Sequence, residues 1–466
     1  PQDAAFLKKA FPEFMEKYFG EDFARVGNKI GLTLEPLHDI YFNYDTRYEN
    51  QIRHGDQRYV LVFTSVGILL ILLAAINYIN LATAQTSERA KEVGIRKALG
   101  SSKRNIAAQF LSESFFLCLI SLIIGLAVAQ AAIPLLNSSV GLSIPGKLND
   151  PYLWSFIILL LFVIAIASGG YPSFLLSSFQ PVKVLKGEVK GNVQYLFIRK
   201  ALVVFQFSIS AFMIIATLFI GQQLRFMGEK DLGFQADQLL VITLNNGEIN
   251  RHRQDFREKL LQEPGFLQAT YTSGHPGGFY DATTVNIEGV DQHMRMRTLQ
   301  ADWYLVNTMG LNMAAGRFFS RDTPADSIAS VVLNETAVRQ LGWTSDEAIG
   351  KRVLLAQFDS VYKQVVGIVK DYHFSSLKER IEPLVISCVP GDGNLMLKIS
   401  GDDIQGTIAS LEEVWRSYNT GFPLQFEFVD EAINRHYRDE AVQGKLFTIF
   451  SVISVAIACL GILGLA

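Results

Sequence analysis

The stretch YVLVFTSVGILLILLAAINYINLATAQTS, residues 59–87, contains no Asp, Glu, Lys or Arg, and its centre at 66–76 is dense in Leu and Ile. A helix of about 20 apolar residues can cross the hydrocarbon core of a bilayer, which is ~30 Å thick. A buried helix of a soluble protein is the alternative, but such apolar runs usually reach only about 14 residues. The stretch therefore predicts a transmembrane helix at about 59–84.

Four further windows are almost free of charge. Residues 105–146 carry only Glu113, and residues 151–182, 201–224 and 446–466 carry no charge. Together the windows predict an α-helical membrane bundle. We expect three helices within residues 58–182 (about 59–84, 107–135 and 152–176), a fourth at 201–224 and a truncated fifth at 445–466.

The composition of the 466 residues agrees with a membrane protein. Only 19% are charged and 49% are hydrophobic, whereas globular chains carry roughly 25% charged residues. A net charge of -3 gives no reason to expect a nucleic-acid partner. Cys118, Cys388 and Cys459 are too few for a disulfide framework and lie at no metal-ligand spacing. Since the chain begins at Pro1 and stops inside an apolar run, we expect a piece of a longer protein.

Basic residues are concentrated in two of the predicted connections. Loop 85–106 has six Lys or Arg against two Glu, and linker 183–200 has five against one, whereas loop 137–150 has one Lys and one Asp. Short loops rich in Lys and Arg stay in the cytoplasm. Loop 85–106 and linker 183–200 are therefore predicted to be cytoplasmic, and residues 1–57 and 225–440 extracytoplasmic.

Residues 225–440 have the pattern of an α+β domain of about 200 residues, large enough for its own core. Turn signals such as PGG at 276–278 and PGDG at 390–393 separate its elements. β-branched runs predict strands at 238–244, 283–290, 330–334, 363–371, 384–389 and 395–400, and amphipathic patterns predict helices at 253–263, 335–343 and 404–418.

The two ends of the chain resemble each other. LTLEPLHDI at 32–40 precedes the first window, and LQFEFVDEAI at 424–433 precedes the last. At one constant offset, Phe63-Thr64 matches Phe447-Thr448, Ala74 matches Ala458, and Leu81-Ala82 matches Leu465-Ala466. The shared order of soluble tail and apolar helix favours an internal duplication. Residues 1–57 are then the C-terminal tail of a first extracytoplasmic domain, and 225–440 form a second.

The loop ERAKEVGIRKALGSSKRNI at 88–106, followed by QFLSES, resembles the signature of the FtsX-like, MacB-like permease family of ABC transporters. The stretches GGYPSFLLSSFQPVKVLKG, LNMAAGRFF, VVLNETAVRQLGW, AIGKRV and VVGIVKDYHFSSLKERIEPLV are similar to further parts of that family. The resemblance covers essentially the whole chain and fits the duplicated, eight-helix type, of which this chain is a fragment. It implies an α-helical membrane bundle plus a MacB-like α+β extracytoplasmic domain.

The resemblance also implies partners. Loop 85–106 would be the coupling loop that contacts an ABC ATP-binding subunit, and the residues at matching positions are Glu88, Arg89, Glu92, Gly94, Arg96, Lys97 and Gly100. Because no G-x-x-x-x-G-K-[ST] occurs, ATP is expected on that partner, and we expect no cofactor on this chain. The lipid bilayer of a bacterial inner membrane is the expected location, and a periplasmic adaptor protein is a further partner that the family admits.

The residues of the loop can be interpreted in two ways. Topology alone accounts for the basic residues, but it does not account for Val93-Gly94-Ile95 and Ala98-Leu99 within a charged segment. A short amphipathic helix that ends near Gly100, with Ser101 or Ser102 capping the next helix, suits a docking element.

Enzyme chemistry finds little support in the sequence. No H-E-x-x-H or G-x-S-x-G occurs, so we expect no catalytic and no metal site. His275 and His373 are expected to be structural, and Cys388 to be a buried strand residue. Within the spans, we expect Glu113 to lie one to two turns into its helix, at the cytoplasmic interface. The amides of Asn77, Asn80, Gln109 and Gln206 are expected to bond between helices.

The resulting hypothesis is a permease subunit that relays the ATP hydrolysis of a partner to the extracytoplasmic domains, for export of a peptide, drug or lipid-linked substrate. Two alternatives remain open: an FtsX-like signalling subunit that activates a periplasmic cell-wall hydrolase, and a lipoprotein-release permease.

Overall fold

A computed structural model describes residues 2–26, 31–42, 55–84, 86–140, 150–178, 193–244, 247–278, 280–289, 293–356, 361–389, 393–418 and 421–463. The chain divides into two compact units. One consists of Pro1–His54 and Glu229–Asp439, and the other of Gly55–Gly228 and Glu440–Ala466. The first unit contains the predicted α+β block, and the second contains the charge-free windows. The expected fold class, a helical membrane bundle plus an α+β domain, is confirmed.

The second unit is a bundle of long helices. Four helices in the described part of the chain are long and apolar enough to cross a membrane, over Gln57–Leu81, Lys103–Ser138, Lys200–Glu229 and Arg438–Gly461. A fifth apolar helix is described over Pro151–Ala167. The helices of this unit are α2 (Gln57–Ala84), α3 (Thr86–Ala98), α4 (Lys103–Val140), α5 (Pro151–Ser178), α6 (Val193–Glu229) and α15 (Arg438–Leu463).

Close packing joins α4 to α5. A Cβ atom at Gly169 in α5 would lie 2.6 Å from the Ser114 side chain of α4, so only glycine permits this approach. The Ser114 hydroxyl lies 2.9 Å from the Tyr78 hydroxyl, which connects α2 to the same place. Small residues at such crossings let helix backbones approach closely. In a bilayer, where no hydrophobic effect drives helices together, this van der Waals packing holds them.

A second group of helices packs around a buried apolar cluster. Val66 and Leu73 of α2 contact Ile209 and Met213 of α6, and Phe447, Phe450 and Ile457 of α15 cover them. The rings of Phe63 and Phe447, which the internal repeat matches with each other, lie 5.4 Å apart. The Tyr59 hydroxyl donates to Glu440 Oε1 at 3.3 Å, so α2 and α15 start side by side. They therefore run parallel.

The first unit begins with α1 (Gln2–Val26) and a short 3-10 turn at Ile40–Phe42. Its remaining elements alternate strands and short helices: β1 (Leu239–Thr243), α7 (Gly247–Arg251), α8 (Arg253–Gln262), β2 (Phe266–Thr272), β3 (Asp281–Ile287), β4 (His293–Ala301), α9 (Leu305–Met309), β5 (Met313–Gly316), α10 (Asp326–Ala329), β6 (Ser330–Asn334), α11 (Glu335–Gln340), α12 (Ser345–Ala348), β7 (Arg352–Leu355), β8 (Lys363–Val369), β9 (Leu384–Cys388), β10 (Asn394–Ile399), α13 (Ile404–Ser417), β11 (Phe426–Phe428) and α14 (Val429–Arg435).

The strands form two connected lobes. In one lobe the order is β11-β1-β10-β2, with antiparallel pairing throughout. In the other, β4-β3-β7-β8-β6-β9 closes on itself because β9 pairs in parallel with β4. The single pair Thr272–Ala301 joins the lobes through β2 and β4. Closure removes strand edges from this ring, and β5 pairs in antiparallel with β8 off the ring.

Each lobe has its own apolar core. Phe256 of α8 and Trp415 of α13 pack on the open sheet with Leu240 and Leu397. Val331, Ile368 and other β-branched residues fill the closed lobe. The runs predicted as strands at 330–334 and 384–389 coincide with β6 and β9, whose described residues are all buried. β2, β4, β5, β7 and β11 were not predicted. In β4, β5 and β7, basic or small residues interrupt the apolar ones.

Candidate functional site

The loop at 85–106 contains a helix. α3 covers Thr86–Ala98, separated from α2 by a single residue, and ends in a Schellman motif. The Ser101 amide donates to Arg96 O at 3.0 Å and the Gly100 amide donates to Lys97 O at 3.0 Å. Gly100 has a φ of +96°, where glycine carries no Cβ penalty. The predicted helix end near Gly100 is confirmed.

The next helix begins with a side-chain cap. The Asn105 amide donates to Ser102 Oγ at 3.2 Å, so Ser102 is the predicted capping serine of α4. Ser102 thereby satisfies one of the free amides in the first turn of α4. Only four residues separate α3 from α4, which gives a tight connection between them.

The inner face of α3 is apolar. Val93, 1% exposed, packs with Ile106 and Phe110 of α4. Gly94 is buried beside it. No local signal marks Ile106 and Phe110 as the support of this helix, although their spacing of four residues places them on one face of α4. This packing fixes which side of α3 faces outward.

Arg96 ties α3 to α4. Its guanidinium pairs with Glu92 at 2.6 Å, one turn earlier on α3, and donates to Gln109 Oε1 at 2.5 Å. The expected interhelical role of Gln109 is thereby confirmed. Partial burial, followed by the neighbouring charge of Lys103, lowers the pKa of Lys97 below its ordinary value.

The outer face of α3 presents two exposed apolar side chains. Ile95 is 52% exposed and Leu99 is 83% exposed, and Lys97 and Arg96 lie between them along the chain. Of the seven residues that the resemblance assigned to coupling, Glu92, Gly94, Arg96, Lys97 and Gly100 are described within α3 and its cap. Glu88 and Arg89 lie on α3, but their side chains are outside the described part. An amphipathic helix of this kind can dock against another protein.

The position expected for Glu113 along its helix is wrong. α4 begins at Lys103, so Glu113 lies ten residues along the helix, a rise of about 15 Å or almost three turns. The sequence placed the helix start near residue 107, because the basic residues before it were assigned to the loop.

The residues considered for catalysis have structural surroundings. His275 Nδ1 lies 3.1 Å from Pro276 O, and burial lowers its pKa. Burial also lowers the pKa of His373. Cys388 is 1% exposed within β9, and burial raises its thiol pKa to about 11. Over the residues that the structure describes, no three His, Cys, Asp or Glu side chains converge as metal ligands.

Comparison with known families gives two matches. Residues 64–181 match the FtsX-like permease C-terminal family, and residues 201–386 match the MacB-like periplasmic core domain. The first match includes α3 and its supporting helices, and the second covers α6 and most of the strands. The fold and the matches define an integral-membrane ABC-transporter permease with an extracytoplasmic α+β domain. The chain belongs to the FtsX-like, MacB-like permease family.

Individual relatives cover smaller parts. The macrolide export ATP-binding/permease protein MacB of Bdellovibrio bacteriovorus is 29% identical over 141 residues, which is 30% of this chain and 21% of the relative. The ABC transporter permease YtrF of Bacillus subtilis is 28% identical over 182 residues, 35% of this chain and 41% of the relative. The matched part therefore spans only about a fifth to two fifths of these relatives.

Two solved structures are similar to parts of the chain. The periplasmic region of MacB from Actinobacillus actinomycetemcomitans is 18% identical, with a TM-score of 0.32, and the match covers 44% of this chain and 94% of that region. The extracellular domain of the noncanonic ABC-type transporter YknZ is 13% identical, with a TM-score of 0.30, and the match covers 41% of this chain and 97% of that domain.

Proposed function

We propose that this permease relays ATP hydrolysis by a partner ATPase, docked on α3, to the extracytoplasmic domains, and so drives export of a peptide, drug or lipid-linked molecule from a bacterial inner membrane. The docking of an ATPase is supported above all by the outer face of α3. Ile95 and Leu99 are exposed there, and Val93 holds the helix in place. Family membership supports an ATP-binding partner, and the macrolide export named for the MacB relatives supports the class of substrate.

The arrangement of the bundle supports a relay. Tyr59 and Glu440 bring the starts of α2 and α15 together, and a Cβ at Gly444 would lie 2.8 Å from Leu224 Cδ1 near the end of α6. The chain connections to the α+β unit therefore leave from one end of the bundle. α3 follows the other end of α2, a helix of 28 residues and about 42 Å.

The test is co-purification of the partner ATPase with the full-length membrane protein in mild detergent. We expect Leu99→Asp and Ile95→Asp each to lower the ATPase recovered by about ten-fold, because an exposed apolar anchor carries much of a docking energy. Leu267→Asp is the matched control, since Leu267 is an exposed leucine (58%) of the α+β unit.

A charge swap examines the ionic part of the same face. Arg96→Glu alone breaks the pair with Glu92, whereas Glu92→Arg together with Arg96→Glu restores an opposite-charge pair one turn apart. If the swapped protein recovers the ATPase as well as wild type, Arg96 acts by holding α3 in place and does not contact the ATPase. Full ATPase recovery by the two aspartate variants would contradict docking on α3. Capture of a cell-wall hydrolase by the extracytoplasmic domain, without a transported substrate, would favour the signalling alternative.

A further inference from the structure

Three helices of the bundle meet at one backbone carbonyl. Asn77 Nδ2 of α2 and Gln206 Nε2 of α6 each donate to Ile457 O of α15 at 3.5 Å. These distances exceed the usual 2.7–3.2 Å of a protein hydrogen bond, so both bonds are weak. One amide can leave such a carbonyl, and another can replace it, at little cost, because the bond is weak and a helix has a similar carbonyl at every residue.

A glycine makes room for both amides. A Cβ atom at Gly461, one turn beyond Ile457, would lie 2.8 Å from Gln206 Nε2 and 2.9 Å from Asn77 Oδ1. A side chain at residue 461 would push both amides away from Ile457 O, so the glycine keeps this space open for them. We call Ile457 O and Gly461 together the α15 notch.

A second amide of α2 lies one turn away from the first. Asn80 follows Asn77 by three residues, a rise of about 4.5 Å, and therefore lies on the same face of α2. It is 1% exposed, and its Nδ2 is buried without a hydrogen-bond partner within the described part of the chain. Asn77 Oδ1 is also buried and unpartnered there. Buried amide groups that lack partners are rare and costly, above all within a membrane.

A displacement of α2 would exchange the two amides, because it would bring Asn80 to the carbonyl that Asn77 now uses. Because α2 and α15 run parallel, moving α2 by about 4.5 Å along its axis, toward the end at which it starts, would carry Asn80 to the level that Asn77 now occupies. Shifts of one helical turn between packed elements are a known form of switching. The cost falls on contacts along α2. Phe63 would leave Phe447, the bond from Tyr59 to Glu440 would break, and the bond between the Tyr78 and Ser114 hydroxyls would break unless α4 moved with α2.

We propose that Asn77 and Asn80 are alternative occupants of the α15 notch and define two registers of α2 against α6 and α15. The proposal rests on the function proposed above, because α2 carries α3 at its end. α6 and α15 lead by the chain into the α+β unit, so a change of register converts displacement of α3 into relative movement of the helices that hold that unit.

Cysteine pairs report the register in the full-length protein, with Cys118 and Cys459 replaced by Ser. Phe63→Cys with Phe450→Cys joins residues whose rings lie 6.1 Å apart, so it closes in the register observed here. Leu69→Cys with Phe447→Cys spans six residues of axial offset, about 9 Å, which falls to about 4.5 Å after the shift. With the co-purified ATPase, ATP and vanadate should lower the first cross-link and raise the second by about five-fold.

Substitutions of Asn77 and Asn80 show whether these amides set the register of α2 or only pack in the bundle. Asn80→Leu should preserve the first cross-link and abolish the nucleotide-dependent increase of the second, while Asn80→Gln, which keeps the amide, should restore it. Asn77→Leu should raise the second cross-link without nucleotide. Unchanged cross-links in the presence of an ATPase that hydrolyses ATP would overturn the two registers and leave the proposed function intact. Absence of any associated ATPase would overturn both.

Discussion

Asp326 shows how a single residue holds a buried charge in the α+β unit. Its carboxylate receives two bonds from the Arg317 guanidinium, at 2.6 and 2.8 Å, together with bonds from the Ser320 amide and the Ser330 hydroxyl. The Asp326 side chain is 1% exposed, whereas that of Arg317 is 49% exposed. The bonds from Arg317 are the main cause that lowers the pKa of Asp326. Donors that satisfy every face of a carboxylate make its burial tolerable.

Asp326→Asn should destabilise the α+β unit by about 2 kcal/mol at pH 7, because it removes the charge that three groups bond. A folded-state pKa below the ordinary value means that the carboxylate stabilises the fold above about pH 4, and that this contribution disappears as the pH falls through the lowered pKa. The difference between wild type and variant should therefore shrink below about pH 4. Thermal unfolding at each pH, monitored by tryptophan fluorescence, measures this difference in stability.

The exposed Asp346 supplies the control for this experiment. Asp346→Asn should change the stability by less than about 0.5 kcal/mol at any pH. If wild type and Asp326→Asn differed in stability by the same amount from pH 7 to pH 3, the lost stability would come from packing and not from the charge.

At the scale of elements, α3 is stabilised by its ends and one face. The Schellman motif at Gly100 closes its C-terminus, and Val93 holds it against α4. A helix of 13 residues is marginal in isolation, so these contacts decide whether it is ordered. The position of α3 therefore depends on α4 as much as on its own sequence.

Gly100→Ala should weaken the C-terminal turn of α3 by about 1 kcal/mol, because alanine at a φ of +96° carries a Cβ penalty that glycine does not. Amide hydrogen exchange of residues 96–101 should become about five-fold faster, while exchange in the middle of α4 stays unchanged. Gly125→Ala is the matched control, because a Cβ at Gly125 meets nothing within 4 Å and its φ is not positive. If residues 96–101 exchanged at the same rate in both variants, the cap at Gly100 would not stabilise the end of α3.

At the scale of the whole molecule, the chain alternates between a membrane bundle and an α+β unit. Contacts between residues matched by the internal repeat, such as Phe63 with Phe447, fit two related helices that pack side by side. The docking role that we propose for α3 requires α3 and residues 229–439 to lie on opposite sides of the membrane.

Labelling in intact cells tests this topology. Ser345 is an exposed residue of α12, so Ser345→Cys should react with a membrane-impermeant maleimide. Leu99→Cys should react only after the membrane is permeabilised. Because Cys118 and Cys459 lie within spanning helices and Cys388 is buried, the parent protein supplies the background. Labelling of Leu99→Cys in intact cells would place α3 outside and exclude docking of a cytoplasmic ATPase.

Elements that depend on local physics could be predicted from the residues alone. Charge-free windows predict membrane helices because a bilayer admits no unpaired charge, and Gly100 with Ser102 marks a helix end and a helix start through backbone geometry and a side-chain cap. The coupling role of α3 came from family resemblance, and it stays a prediction. The exposed face of α3 follows from the folded structure, because Val93 packs on Ile106 and Phe110 through contacts that no local pattern encodes. The folded structure likewise decided that Asn77 and Gln206 share one carbonyl beside Gly461, since that contact joins residues about 250 to 380 positions apart, and long-range packing sets such pairs.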